Sequence, residues 1–115
     1  PDHPDHELFK RIGRSEYGFG GLLTIDVGSR EVAEGLMEDL QNIEGFGFMA
    51  VSLGYFDTPM SCSASSTSSE MDDESLAAAG ISPGLVRMSI GITGSVEQRW
   101  GQFERSLRRS GLVKS

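Results

Sequence analysis

Apolar residues recur at helical spacing in four segments of the chain. Residues 4–12 and 30–43 form the first two segments, and each has an apolar side chain at about every turn. A short third segment, DDESLAAAG, ends at Gly80, which is a typical helix stop. Ser29 and Ser95 are suited to cap the second and the fourth helix. The fourth helix should bury a stripe made of Val96, Trp100, Phe103 and Leu107.

Alternation with period two, which predicts a half-buried strand, occurs in two other segments. In LLTIDV, apolar residues alternate with Thr24 and Asp26. In LVRMSIG, Arg87 lies on one face with small residues, and the opposite face carries Val86, Met88 and Ile90. A mostly apolar run, FGFMAVSLG, predicts a further strand, and a short strand is possible at TPMSC.

The order of these elements predicts one α+β domain. The 115 residues suit a single domain that buries its own core. The glycines of GFGG lack the spacing of a nucleotide-binding fingerprint. We therefore expect residues 1–115 to form a two-layer sandwich, in which a small, largely antiparallel sheet carries helices on one face. Residues 1–19 would be a helix and a connection that lead into this domain.

Charge and cysteine content narrow the range of functions. A formal net charge of −7 and a pI near 4.7 argue against a nucleic-acid partner. The single cysteine excludes an internal disulfide, and no apolar run has the length of a membrane span, so we expect a cytoplasmic protein. The start at Pro1 indicates a piece of something longer. We interpret the arginines of the last helix as a solvated face at its C-terminal end; they are Arg99, Arg105, Arg108 and Arg109.

A cation within a predicted strand is the main candidate for chemistry. Arg87 is flanked by small residues that leave room for a ligand, and Ser52 and the serine-rich run at 61–70 supply hydroxyls. A guanidinium with hydroxyls nearby suits bidentate capture of a small carboxylate. The alternative is an arginine that lies in water or pairs with one of the many carboxylates, and spacing alone favours this alternative.

Two other groups of residues are weaker candidates for a functional site. His3 and His6 have the spacing of metal ligands on a helix, but no further His or Cys cluster completes a coordination shell, so we expect no metal. Cys62 has no histidine downstream to activate it as a nucleophile. A small residue of the core is the simpler interpretation of Cys62.

Long stretches of the chain resemble the C-terminal domain of the Cys/Met-metabolism family of pyridoxal-phosphate (PLP) enzymes. These stretches are HPDHEL, GFGGLLTIDV, AVSLGYFDTPMSCSASSTSSEM and AAGISPGLVRMSIGITGSVEQRWGQFERSL. Within the family, they are most similar to the methionine γ-lyases of the plant-type branch. The resemblance implies the C-terminal small domain of a fold-type I PLP enzyme.

The resemblance assigns roles in substrate binding to four positions. Arg87 matches the arginine that binds the α-carboxylate of the substrate, and Ser52 matches a serine beside that carboxylate and the cofactor lysine. Thr67 matches a threonine that helps to shape the same pocket. Val51 stands where relatives that cleave or form cystathionine typically have glutamate, and an apolar side chain there suits a thioether better than a second amino-acid group.

The resemblance also implies what lies outside these residues. Family members carry the Schiff-base lysine and the other PLP-binding groups in a large N-terminal domain. Lys10 and Lys114 are the only lysines here and lack the family's surrounding motif, so this chain should not hold PLP covalently and should be inactive alone. Ser68 and Thr93 depart from many relatives, which have histidine and glutamate at these positions.

The implied activity of the parent enzyme is the α,γ-elimination of methionine to methanethiol, 2-oxobutanoate and ammonia. The parent would use PLP and form a homotetramer. Two alternatives remain open at this point. The chain could be the same domain of a cystathionine γ-synthase, a cystathionine γ-lyase or an O-acetylhomoserine sulfhydrylase, or it could be a stand-alone binding or assembly module without catalysis.

Overall fold

The computed structural model describes residues 1–65 and 70–114, which form four α-helices and four strands. A short 3₁₀ turn, Ser15–Tyr17, follows the first helix. The helices are α1 (His6–Ile12), α2 (Arg30–Asn42), α3 (Asp73–Ala78) and α4 (Val96–Arg109). The strands are β1 (Leu22–Asp26), β2 (Phe48–Met49), β3 (Pro59–Cys62) and β4 (Leu85–Ser89).

The four strands make one mixed sheet in the order β1-β4-β3-β2. The strand β4 lies inside the sheet and is antiparallel to both of its neighbours, β1 and β3. Only β2 runs parallel to its partner, β3. The predicted fold class is confirmed: the domain is α+β with a small, largely antiparallel sheet, and the possible strand at TPMSC exists as β3.

The core lies between one face of the sheet and the helices. Helix α2 buries one stripe against the sheet, made of Ala33, Leu36, Met37 and Leu40. From the sheet, the buried side chains are Met60, Cys62, Val86 and Met88, and Leu76 of α3 joins them. Phe103 and Leu107 of α4 pack at the border of this cluster. The helices therefore cover one face of the sheet, as the sequence predicts.

The predicted helix starts are confirmed by hydrogen bonds. The Ser29 hydroxyl accepts from the Val32 amide at 3.3 Å, and the Ser95 hydroxyl accepts from the Gln98 amide at 3.1 Å. Such a bond satisfies one of the amides that a helix N-terminus leaves without a partner. At the first turn of α3, the Asp72 carboxylate accepts from an amide in the same way at 2.7 Å.

Two predictions about elements are wrong in part. The strand predicted over FGFMAVSLG is only two residues long, because the chain leaves β3 after the Ala50 amide bonds to the Met60 carbonyl and then turns at Gly54, whose φ is +67°. The stripe predicted for α4 is only half buried. Val96 is 81% exposed and Trp100 is 59% exposed, and both line an apolar cavity of about 460 Å³ together with Leu23 and Met88 of the sheet.

Three of the four arginines of α4, Arg105, Arg108 and Arg109, are exposed as predicted, and each of them also forms an ion pair. Arg105 donates to the Glu44 carboxylate at 2.7 Å, and Arg109 donates to the Asp39 carboxylate at 2.6 Å and to Glu44. These bonds hold the pKa values of Asp39 and Glu44 below their ordinary range, in each case first through the hydrogen bond from an arginine. The ion pairs thus join α4 to α2 and to the residues that follow α2. The fourth residue, Arg99, has a separate set of contacts, described below.

Candidate functional site

Arg87 occupies the middle of β4, on the face of the sheet away from the helices. Its neighbours in register are Thr24 of β1 and Ser61 of β3. Val86 and Met88, on either side of it, are 0% and 1% exposed and point into the core. Because side chains alternate along a strand, the Arg87 guanidinium is directed to the opposite side. The predicted division of this strand into two faces is confirmed.

Most of the hydrogen-bonding capacity of Arg87 is not used within the described part of the chain. One terminal nitrogen, Nη2, donates to the Ser52 carbonyl oxygen at 3.1 Å. The Nε donor is buried and has no acceptor in the same part of the chain. A guanidinium has five N–H donors in a fixed fork, and a carboxylate can accept two of them in parallel. The arrangement can therefore bind a carboxylate without breaking an ion pair, since the described residues give Arg87 no carboxylate partner.

A loop crosses the sheet beside Arg87 and brings Ser52 to it. This β2–β3 loop, residues 50–58, is tied to the end of β4 by backbone groups. The Gly54 amide donates to the Ser89 hydroxyl at 3.0 Å, and the Ile92 amide donates to the Phe56 carbonyl at 2.8 Å. At Gly91 a Cβ atom would lie only 2.4 Å from that same carbonyl. Close contact of two backbones is thus what places the loop over the Arg87 face.

The structure brings Ser52 to Arg87, but Val51 faces a different space. The contact of Ser52 with Arg87 is made by its backbone carbonyl, so sequence comparison of side chains could not have predicted it. Val51 is 60% exposed and lines a cavity of about 340 Å³ that also has Met49, Cys62 and Glu34 in its wall. Arg87 does not line this cavity. The roles of Arg87, Ser52 and Val51 in substrate binding stay predictions.

Thr67 and Ser68 lie outside the residues that the structure describes. The stretch before them starts beside α2, where the Ser65 hydroxyl donates to the Glu34 carboxylate at 2.6 Å. The role predicted for Thr67 is therefore also still a prediction. Thr93, the other departure from many relatives, is described, and its hydroxyl donates to the Asp57 carboxylate at 3.1 Å.

Sequence analysis missed a polar cluster at the far end of the β2–β3 loop. Arg99 reaches from the first turns of α4 to Thr93 and Asp57, and it also donates to the carbonyls of Gly45 and Phe46. Its side chain is only 20% exposed, which contradicts its interpretation as part of a solvated face. The sequence offers one weak signal: Arg99 occupies the same side of the helix as Phe103, four residues on, and a cation near an apolar stripe needs partners.

The other candidate residues have structural contacts. His3 accepts a hydrogen bond from the Asp5 amide at 3.1 Å, and the ring of His6 stacks on Phe19 with centroids 5.0 Å apart. Within residues 1–65 and 70–114, no group of three or more metal-ligating side chains comes together. Cys62 is buried, and its sulfur contacts the Pro83 carbonyl at 3.3 Å. Its place in the core agrees with the structural interpretation of this cysteine.

Both lysines lie near the ends of the chain and have other contacts. Lys10 lies on α1 and pairs with Glu7 at 3.3 Å. Lys114 lies beyond the end of α4, where its carbonyl accepts from Arg108 at 2.9 Å. The expectation that this chain does not hold PLP covalently stays a prediction.

The described part of the chain contains no helix that is both long enough and apolar enough to cross a membrane.

Comparisons with known proteins identify the chain's relatives. The sequence model of the Cys/Met metabolism PLP-dependent enzymes matches residues 1–98. The chain is 60% identical to methionine gamma-lyase of Arabidopsis thaliana over 107 residues, which are 93% of this chain and 24% of that protein. It is 35% identical to cystathionine gamma-lyase of Bacillus subtilis over 91 residues, which are 79% of this chain and 22% of that protein.

A solved structure agrees with these sequence matches. Cystathionine gamma synthase from Xanthomonas oryzae pv. oryzae, in complex with aminoacrylate and cysteine, superposes with a TM-score of 0.76 at 32% identity. The superposition covers 96% of this chain and 27% of that one. The chain spans about a quarter of the length of the curated relatives it matches.

Proposed function

The chain belongs to the family of Cys/Met metabolism PLP-dependent enzymes, and on this basis we propose that residues 1–115 are the C-terminal, substrate-carboxylate-binding domain of a methionine γ-lyase. The reaction of the whole enzyme would be the α,γ-elimination of methionine to methanethiol, 2-oxobutanoate and ammonia. Identity of 60% to a methionine gamma-lyase over 93% of the chain supports methionine as the substrate.

The observation that carries the proposal is that Arg87 has hydrogen-bond donors without an acceptor in the described part of the chain. Its guanidinium is held at one nitrogen by the Ser52 carbonyl, and its buried Nε has no acceptor within the described residues. An amino-acid substrate carries an α-carboxylate, which is the acceptor that such a group needs. Arg87 would bind that carboxylate, and Ser52 would set the position of the guanidinium.

The contribution of this domain to the reaction is orientation. PLP, held by residues outside this chain, would supply the electron sink for loss of the α-proton. A carboxylate held by parallel N–H···O bonds cannot rotate freely, so Arg87 would fix the direction of the Cα–H bond. Correct orientation of a reacting bond accounts for a large part of the acceleration in many enzymes.

Val51 supports methionine over cystathionine as the substrate. By resemblance to the family, relatives that cleave or form cystathionine typically have glutamate at this position, and an apolar side chain there suits a thioether better than a second amino-acid group. The same domain of a cystathionine γ-synthase, a cystathionine γ-lyase or an O-acetylhomoserine sulfhydrylase is the second candidate.

The remaining features of the proposed enzyme rest on family membership. Thr67 would contribute to the substrate pocket. The missing N-terminal PLP domain would belong to the same polypeptide as this domain, and four copies of the enzyme would form a tetramer. We also propose the cytoplasm as its location, since the chain's single cysteine offers no internal disulfide.

Product analysis of the full-length enzyme, loaded with PLP, tests the proposal. Methanethiol and 2-oxobutanoate should form from methionine, and cystathionine should be a poor substrate. Residues 1–115 alone, mixed with PLP, should show no turnover of methionine, because neither lysine has the motif that surrounds the cofactor lysine in the family. Release of cysteine from cystathionine without methanethiol from methionine would identify the enzyme as a cystathionine γ-lyase instead.

A further inference from the structure

We propose that Arg99 is a positioning residue for the Arg87 site. Its guanidinium holds both ends of residues 47–56, the segment that carries Val51 and Ser52. Together with the backbone contacts of Gly54 and Gly91, it thereby supports the position of the Ser52 carbonyl against Arg87. The inference rests on the proposed function of the Arg87 site. It adds a residue that lies on α4 and does not itself contact Arg87.

Arg99 fixes the first end of the segment through backbone carbonyls. One terminal nitrogen, Nη1, donates to the Gly45 carbonyl at 2.9 Å and to the Phe46 carbonyl at 3.0 Å. These two residues come directly before Gly47, where a Cβ atom would lie 2.2 Å from the Thr58 carbonyl. The guanidinium therefore holds the chain at the point where it enters the sheet as β2.

The same guanidinium fixes the second end through Asp57 and Thr93. Arg99 Nη2 lies 3.6 Å from Asp57 Oδ1, and it donates to the Thr93 hydroxyl, which in turn donates to Asp57 at 3.1 Å. The Nε atom donates to the Thr93 carbonyl at 2.8 Å. Asp57 is thereby held at the place where the β2–β3 loop returns toward β3.

Only an arginine can make this set of bonds. All three nitrogens of Arg99 are engaged, and their partners lie in three separate segments of the chain. A lysine has one nitrogen on a flexible stem, so it cannot hold carbonyls at one end and a carboxylate at the other. The side chain is also 20% exposed, so its bonds are little weakened by water.

We expect other contacts to keep the fold intact when Arg99 is replaced. Gln102 donates to the Glu44 carbonyl at 2.7 Å, and the Gly91 amide donates to the Thr58 hydroxyl at 3.0 Å. We therefore expect replacement of Arg99 to loosen the segment at residues 47–56 and to leave the core in place. The displaced Ser52 carbonyl would no longer direct the Arg87 guanidinium, which would weaken binding of a substrate carboxylate.

Steady-state kinetics of the full-length PLP enzyme test the proposal. The variants are Arg99→Gln and Arg99→Lys, and the control is Arg108→Gln, which removes the same charge from α4 but breaks only an exposed pair with Glu104 and a bond to the tail. We expect both Arg99 variants to raise the KM for methionine by roughly five- to twenty-fold. The control should leave KM unchanged within about two-fold. A purely structural role would lower the fraction of active enzyme, and hence the apparent kcat, without changing KM.

Hydrogen exchange of the same proteins gives a readout that does not depend on turnover. Amides of residues 48–56 should exchange at least about ten-fold faster in Arg99→Gln than in Arg108→Gln, while amides of α2 should be unchanged. Unchanged exchange in residues 48–56, or a fall in kcat with wild-type KM, would overturn the positioning role. If the wild-type enzyme proved inactive on methionine, the proposed function would fail, and the exchange rates alone would still decide whether Arg99 holds this segment.

Discussion

Arg87 is an unusual residue for the inside of a sheet, and its surroundings explain how it is tolerated. The flanking Val86 and Met88 bury their side chains in the core, so the strand is secured without any contribution from the guanidinium. Leaving a buried N–H without an acceptor costs about 1–3 kcal/mol, and the Nε of Arg87 is such a group within the described residues. A ligand that supplies an acceptor would recover this free energy on binding.

At the residue scale, Gly91 gives a direct prediction about the β2–β3 loop. A Cβ atom at this position would lie 2.4 Å from the Phe56 carbonyl oxygen and 2.5 Å from the carbonyl carbon of Asp57, so Gly91→Ala must push the two backbones apart. We expect a loss of about 2 kcal/mol in the free energy of unfolding, measured by urea titration.

The matched control for this prediction is Gly35→Ala on α2. A Cβ atom at Gly35 would meet nothing within 4 Å, and alanine favours a helix over glycine by about 0.5–1 kcal/mol. The two variants should therefore change stability in opposite directions. Equal stability of Gly91→Ala and the wild type would mean that the loop does not pack on the end of β4 as described.

At the element scale, the ion pairs between α4 and the end of α2 predict a pH dependence. The pKa of Glu44 is lowered from its ordinary value of 4.5, first by the hydrogen bonds from Arg105 and then by those from Arg109. A carboxylate with a lowered folded-state pKa contributes stability above its ordinary pKa, and this contribution is lost as the pH falls through the folded-state value. The ion pairs should thus support the packing of α4 at neutral pH and fail in acid.

Thermal unfolding of Glu44→Gln tests this dependence. Because the Glu44 side chain is only 7% exposed, we expect the variant to lower Tm by roughly 5 °C at pH 7. The difference from wild type should shrink below pH 4.5 as the wild-type carboxylate is protonated. Glu38→Gln, an exposed change on α2, should have little effect at either pH. A difference in Tm that is equally large at pH 3 would rule out the ionic explanation.

Local patterns in the sequence predicted some elements well and others only in part. The caps at Ser29 and Ser95 and the two faces of β4 depend on neighbours within a few residues, so the sequence contains the information. The length of β2 depends on where the chain departs from β3, and a run of apolar residues does not show this point. The exposure of Trp100 likewise depends on how α4 is tilted against the sheet, although its helical spacing was correct.

At the scale of the whole molecule, the candidate site was only partly predictable. Arg87 and Ser52 were named from the sequence and lie together, but they meet through a backbone carbonyl 35 residues away in sequence. The partners of Arg99 are up to 54 residues away in sequence, and no local pattern connects them. Long-range hydrogen bonds of this kind follow from the packing of complete elements, which is why motif analysis found the arginine of the strand and missed the arginine of the helix.

The measurement that tests the account most directly compares methionine with methioninamide, in which a neutral amide replaces the carboxylate. The full-length PLP enzyme and its Arg87→Ala variant are each assayed for kcat/KM with both compounds. The account predicts that wild type prefers methionine by at least about ten- to hundred-fold, and that Arg87→Ala loses most of this preference because it lowers kcat/KM for methionine alone. If Arg87→Ala lowered kcat/KM equally for both compounds, Arg87 would not be the group that binds the carboxylate.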